Sequence, residues 1–357
     1  MASGGPLDEY KMARERLRDV APRSTRGSLR SGLAAIALVA VASTVILGQT
    51  TSSSSPRPPV TKAQFEQWKS ALSNWGRWGK EDQIGALNLV TREKRRQAAA
   101  LVRDGVTVSM ARPANTEPGV DNPRPYQHRM FQAGPESGSD ELSISFHGYA
   151  HTHIDAFSHR FYDEKMWNGF TTRDVTMEKG AQKGSIFSVR EGIFTRAILV
   201  DVPLLRGVPY LEPGARVYVD DLEAWEARAG VRVSPGDALL VRTGRWARRA
   251  AVGPWEVMRT TAGLDASVIP WLHARGVAVL GSEAVHDATP PINLDVGRLP
   301  VHDFSLIMLG IHLFDDMDLD AVAAAAQAAR RWEFLFSAAP LPIVNGTGSP
   351  INPIGVF

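Results

Sequence analysis

The sequence predicts a single mixed α/β (α+β) domain over residues 61–357. Short apolar and β-branched runs, each closed by Gly, Pro or Asp, mark strands. Capped segments with helical spacing of apolar residues lie between them. No fixed period repeats along the chain, which sets solenoids and arrays aside.

The elements follow in order. Thr61 is an N-cap for a first helix that leads into Asn74-Trp75-Gly-Arg-Trp78-Gly, and Thr91 caps a second helix over 91–103 that stops at Gly105. Residues 106–111, 142–147, 197–202 and 238–242 read as strands. Helical patterns occupy 219–229 and 266–275, the latter followed by a strand at 277–280. Late in the chain, 305–311 reads as a buried strand and 318–334 as an Ala-rich helix.

Ahead of this domain the chain changes character. Residues 1–31 form a basic leader, 32–48 a continuous apolar run, and 49–60 a Ser/Pro linker. A basic region before an apolar run is the layout of a signal peptide or an uncleaved signal anchor. Initiation at Met12 would give a leader of conventional length. The expectation is an apolar N-terminal helix with the domain exported to the periplasm or beyond, or tethered to the membrane outside the cytoplasm. Residues 1–60 hold eight Lys/Arg against four Asp/Glu, so within the formal net charge of +2 the main body is at −2. It has no basic stripe, which argues against a nucleic-acid partner and leaves a small molecule as the expected one. With no cysteine in the sequence, there is no thiol nucleophile, and any metal must be held by His and carboxylates.

The strongest chemical signal is His147-Gly-Tyr149-Ala-His151-Thr-His153-Ile-Asp155-Ala-Phe-Ser-His159, which holds four of the nine histidines. In an extended segment, residues two apart share a face, so His147, His151, His153 and Asp155 would point one way. Imidazole and carboxylate donors suit a divalent cation, zinc or manganese first, with positions left open for water. His159 would lie past a bend, facing that water as a proton acceptor.

The string Thr152-His153-Ile-Asp155-Ala-Phe-Ser-His159 resembles the His-x-Gly-Thr-His-x-Asp-x-Pro-x-His signature of the putative-cyclase family, which includes kynurenine formamidase, isatin hydrolase and trans-dienelactone hydrolase. Gly85-Ala-Leu-Asn-Leu89, Lys165-Met-Trp167-Asn-Gly169 and Gly346-Thr-Gly-Ser-Pro also resemble its longer bacterial members. The resemblance implies a swivelling β/α/β-type domain that forms homo-oligomers. It further implies that His153 and Asp155 are metal ligands and His159 the catalytic histidine. The family's first histidine ligand falls on Tyr149 here, so His151 is the expected substitute, with His147 and Tyr149 itself as further ligand or supporting candidates. His302 and Asp315 match a distal histidine and acidic residue that complete a second metal site or brace the catalytic histidine, which makes both metal-ligand candidates. Trp75, Trp78, Trp167, Glu283 and His286 are weaker candidates for the substrate pocket.

These residues point to metal-dependent hydrolysis of an amide, cyclic imide or lactone, of the arylformamidase kind. No covalent intermediate is needed, in keeping with the absence of cysteine and of a Gly-x-Ser-x-Gly elbow. A metal-dependent cyclase or dehydratase, or a non-catalytic metal- or ligand-binding protein, are the alternatives.

Overall fold

The computed structural model describes residues 57–357. The leader and apolar run at 1–48, and the linker up to residue 56, lie outside the described residues. Among the described residues no helix is long and apolar enough to cross a membrane.

The strands are β1 (Thr107–Ser109), β2 (Gln127–Ala133), β3 (Gly138–Ser143), β4 (His153–Asp155), β5 (Val175–Thr176), β6 (Gly180–Ala181), β7 (Ile193–Asp201), β8 (Arg216–Val217), β9 (Ala238–Arg242), β10 (Gly263–Leu264), β11 (Val279–Ser282), β12 (His312–Asp315), β13 (Glu333–Ala338), β14 (Gly348–Pro350) and β15 (Ile354–Val356). Nine of them form one sheet in the order β1-β15-β13-β7-β9-β11-β12-β4-β14. Its centre, β7-β9-β11-β12, is parallel, and the strands on both sides of it run antiparallel.

Both faces of the centre are covered, which is why those strands read as apolar runs rather than as alternations. Leu239, Val241, Ile198, Val200, Leu280 and Leu313 enter one core cluster, while Ala238, Leu240, Ala197, Leu199, Val279 and Phe314 enter the other. The period-two side-chain alternation of a strand thus splits each apolar run between two cores. At about 25 cal/mol per Å² of apolar surface, these two layers are the main favourable term in the fold.

The N-caps sit where the sequence put them. Thr61 caps the Lys62–Ala71 helix in a full capping box with Gln64, and the Thr91 side chain accepts from the Lys94 amide at the start of Arg92–Ala99. Three expectations need correction. The apolar run 305–311 is not a strand: the Pro300–Phe304 α-helix continues as a π-helix over Ser305–Leu309 and ends at Gly310. Short buried helices and buried strands share the same unbroken apolar pattern, and the π-turn hides any 3.6-residue period. The Ala-rich helix is shorter than 318–334. It spans Asp320–Ala329, stops at Arg330 in a left-handed conformation, and Phe334 belongs to β13. Finally, 142–147 is not one strand. Only its first two residues lie in β3, which pairs with β2 in a hairpin exposed along nearly its whole length, so no buried face imposes an alternation.

Gly310 shows how tightly the π-helix is tied to the core. Its φ is +66°, and a Cβ there would stand 2.6 Å from the fully buried Trp167 ring. Gly310→Ala combines left-handed strain of about 1–2 kcal/mol with overpacking of about 1–3 kcal/mol. A loss of about 2–5 kcal/mol in urea unfolding is therefore expected; a loss under about 0.5 kcal/mol would mean that the ring yields freely.

Candidate metal centre and active site

In open sheets with a parallel centre, ligands gather at the carboxyl ends of the strands. Here Asp315 ends β12, the Glu283–His286 loop follows β11, and Thr243–Arg245 follow β9. β4 enters from the opposite direction and sets His153 across from Asp315 and Asp155 across from Leu313. On its other edge Asp155 faces Gly348 of β14. A Cβ on Gly348 would stand 3.0 Å from the His147 ring, so the bare backbone there gives that ring room.

Asp155 is fully buried and is the centre of the cluster. Its Oδ1 lies 2.9 Å from His147 Nδ1 and 3.5 Å from His153 Nε2. Its Oδ2 lies 3.1 Å from His302 Nε2 and 3.8 Å from His159 Nε2. Burial alone would raise the carboxyl pKa, but His159, His147, His302 and His153 together hold it well below the usual range. Asp315 stands beside it, 2.8 Å from His286 Nε2 and 3.7 Å from His302 Nε2. Burial opposes its ionisation too, and His286 and His302 override it.

Each ring is aimed by what its other nitrogen meets. His153 Nδ1 donates to the His151 carbonyl at 2.7 Å, which turns Nε2 toward the carboxylates. His302 Nδ1 donates to Asp303 at 3.2 Å, and Asp303 is gripped by both arms of Arg160 at 2.6 and 2.9 Å. The amides of Val301 and His302 donate to Asp287 at 2.8 and 2.9 Å, fixing the start of the Pro300–Phe304 helix. His147 Nε2 meets the Thr347 hydroxyl at 3.0 Å, and its ring stacks on His159 with centroids 3.9 Å apart. Burial lowers the His159 pKa to about 4 against the pull of Asp155, so this imidazole is neutral near pH 7.

Two groups of three donors among the described residues can hold a cation, His153–Asp155–Asp315 in the interior and His147–Asp155–His159 toward the cavity. In each, the donor atoms lie within 4.8 Å of one another. Asp155 Oδ1, Asp315 Oδ1 and His147 Nδ1 are buried and, despite their close ion-pair approaches, make no aligned hydrogen bond, an expensive state that a cation between them would relieve. The residues fit a divalent metal.

The sequence candidates fall unevenly around this centre. The 147–155 segment is not extended throughout: only His153–Asp155 is strand, and the bent residues before it bring the His147 ring, not the His151 ring, to Asp155. His151 Nε2 faces the Arg124 carbonyl at 3.2 Å, and its contribution to the cluster is its own carbonyl. His302 and Asp315 both reach the cluster, and so does His286, held at a φ of +68°. Glu283 instead turns away to accept amides of Thr243 and Gly244 at 2.7 and 2.6 Å. Burial raises its carboxyl to about 7. Trp75, Trp78 and Trp167 sit outside the cavity wall: Trp167 packs on Phe157 and Trp78, and Trp75 donates to the Ile307 carbonyl. His312 is buried against Phe157 and donates to the Asp155 carbonyl at 3.3 Å. Sequence reading gave no role to Arg160, Asp303 or Arg245. The first two are chain neighbours of His159 and His302, a weak signal but a usable one.

A cavity of about 280 Å³ opens above the cluster. His147, His153, His159, His302 and Asp315 make its polar floor, and Val120, Phe146, Val257 and Leu299 are among its apolar walls. Tyr149 lines it as well, its pKa pushed up to about 12 by burial and by Asp315 and Asp316.

Fold and site together define an α/β domain with a His/Asp centre at its strand ends that could hold a divalent metal. The family model described as putative cyclase matches residues 107–286. A crystal structure of a novel cyclase is 30% identical, covers 81% of this chain and 99% of its own, and superposes with a TM-score of 0.72. The chain belongs to the putative cyclase family. Isatin hydrolase A from Labrenzia aggregata, solved with benzyl benzoate, shares the fold at 20% identity, with 72% of this chain and 94% of its own covered and a TM-score of 0.53. The Ralstonia solanacearum isatin hydrolase A does so at 21% identity, 73% and 94% coverage and a TM-score of 0.50. No curated protein matches the sequence.

The geometry separates two neighbouring histidines. His147→Ala is expected to weaken metal binding about 10–100-fold, whether the ring binds the ion or braces Asp155. His151→Ala keeps its carbonyl and should leave affinity within about threefold, a limit taken from the spread of single-contact effects. Metal titration of both variants checks this, and the reverse order would refute it.

Proposed function

We propose that this protein is a metal-dependent hydrolase that cleaves the acyl C–N or C–O bond of an aromatic amide, cyclic imide or lactone, in the manner of an arylformamidase. The observation that carries this reading is the shared carboxylate of Asp155, ringed by four imidazoles at the floor of a cavity with apolar walls. A zinc or manganese ion bound by these donors would supply a Lewis acid for the substrate carbonyl and make water acidic enough to be deprotonated near neutrality.

The chain's own residues supply the rest. His153, Asp155 and Asp315 are the buried donors for the ion. His159 is half-buried at the cavity floor, neutral, and held in plane by its stack on His147. From there its Nε2 accepts a proton from water and returns it to the leaving nitrogen or oxygen. The apolar walls seat a flat aromatic body and keep bulk water away. The layout of residues 1–48 supports a site of action outside the cytoplasm, and cell fractionation that recovers the protein only in the cytosol would remove that part of the proposal.

Purified protein is expected to hydrolyse at least one member of a panel of formyl-anilides, cyclic imides and lactones, and to stop when the metal is chelated. His159→Ala should lower kcat by about 100-fold or more while the metal stays bound. Turnover that survives either treatment would rule out the scheme.

A further inference from the structure

Tyr149 stands where the family signature places a histidine, and none of the hydrogen bonds among the described residues uses its hydroxyl. The residue is half-buried, and its hydroxyl is not among the polar atoms sealed from solvent, so it is free to meet a ligand in the cavity. This ring lines the cavity beside His147, His153 and His302, close enough to Asp315 and Asp316 to feel their charge.

The backbone under the ring is anchored in an unusual way. Arg245 is a buried arginine whose Nη2 donates to the Tyr149 carbonyl, while its Nη1 donates to the Glu283 carbonyl at 2.7 Å and pairs with Asp316. Its guanidinium also lies 4.1 Å from the centre of the Trp246 ring. The Arg245–Val252 helix that carries it is fixed in turn by Glu283, which accepts the Thr243 and Gly244 amides. A charged side chain without solvent thus holds one carbonyl in a loop of bends, and that carbonyl belongs to the residue with the free hydroxyl.

We infer that Tyr149 is a catalytic hydrogen-bond donor, its phenol O–H directed at the carbonyl oxygen of a substrate seated on the His/Asp floor. This rests on the hydrolytic reading above and adds to it a residue that this chain has in place of a metal-binding histidine. As the carbonyl carbon is attacked by water, its oxygen gains negative charge, and a fixed neutral donor stabilises that charge more than it stabilises the ground state. The proton stays on the phenol; no bond to Tyr149 forms or breaks. Arg245 is a positioning residue for this donor.

The test is Tyr149→Phe in the metal-loaded, full-length protein, on a substrate that the wild type turns over. The expected result is a fall in kcat on the order of 100-fold with KM changed less than about threefold, as for loss of one oxyanion donor. The metal-to-protein ratio and the thermal midpoint should match the wild type, since the ring that packs the wall is kept. An unchanged kcat would overturn the inference and leave the hydrolase reading standing. Loss of bound metal would overturn it as well, by making Tyr149 a ligand. A wild type inactive on every formyl-anilide, imide and lactone would bring down the hydrolase reading and this inference with it.

Discussion

A carboxylate buried out of reach of water governs the architecture around it. Removing an ion such as Asp155 from solvent costs several kcal/mol unless neighbours repay it, and breaking one partner away leaves the charge stranded. Four imidazoles surround it within 3.8 Å, and a second buried carboxylate, Asp315, shares two of its partners. Without an ion, protons fill the deficit. Burial works against charging His302 and His153, yet the carboxylates keep both pKa values above the ordinary histidine range. A divalent cation held there would take the place of those protons, because the same carboxylates and imidazoles can serve as its donors.

Everything beyond the first ring of donors resists the repulsions that such a cluster contains. Arg160 and Asp303 steady His302, Asp287 fixes the helix on which it sits, and the His151 carbonyl orients His153. Arg245, lying between Glu283, Asp316 and the Tyr149 carbonyl, joins the ends of β9, β11 and β12 to the loop over the cavity. The helix-to-π-helix junction just after His302 belongs to the same pattern, since irregular helical turns are frequent beside functional sites.

Much of this was legible in the sequence, for identifiable reasons. The caps at Thr61 and Thr91 and the central strand 238–242 were visible because local chemistry and an unbroken apolar run determine them. The density of histidines around Asp155 announced the chemistry, and His302 and Asp315 were reached through resemblance. What stayed hidden depends on the third dimension. The choice between His147 and His151 turns on a bend before β4 and on the space left by Gly348, neither of which is encoded as spacing. The strand misread at 305–311 reflects burial on every side, and the hairpin of β2 and β3 reflects its absence.

The short strand β4 also has a temporal meaning. Among the described residues it pairs with β12 and β14 alone, at residues 313–315 and 348–350, so it waits for nearly the whole chain. Contacts so distant in sequence are slow to form, because loop closure must be paid before they reward it. A partly synthesised chain therefore carries His153 and Asp155 but no assembled donor cage, and it has little power to trap a metal early. Any divalent ion that this cage holds would therefore be taken up late, once residues 348–350 have paired with β4.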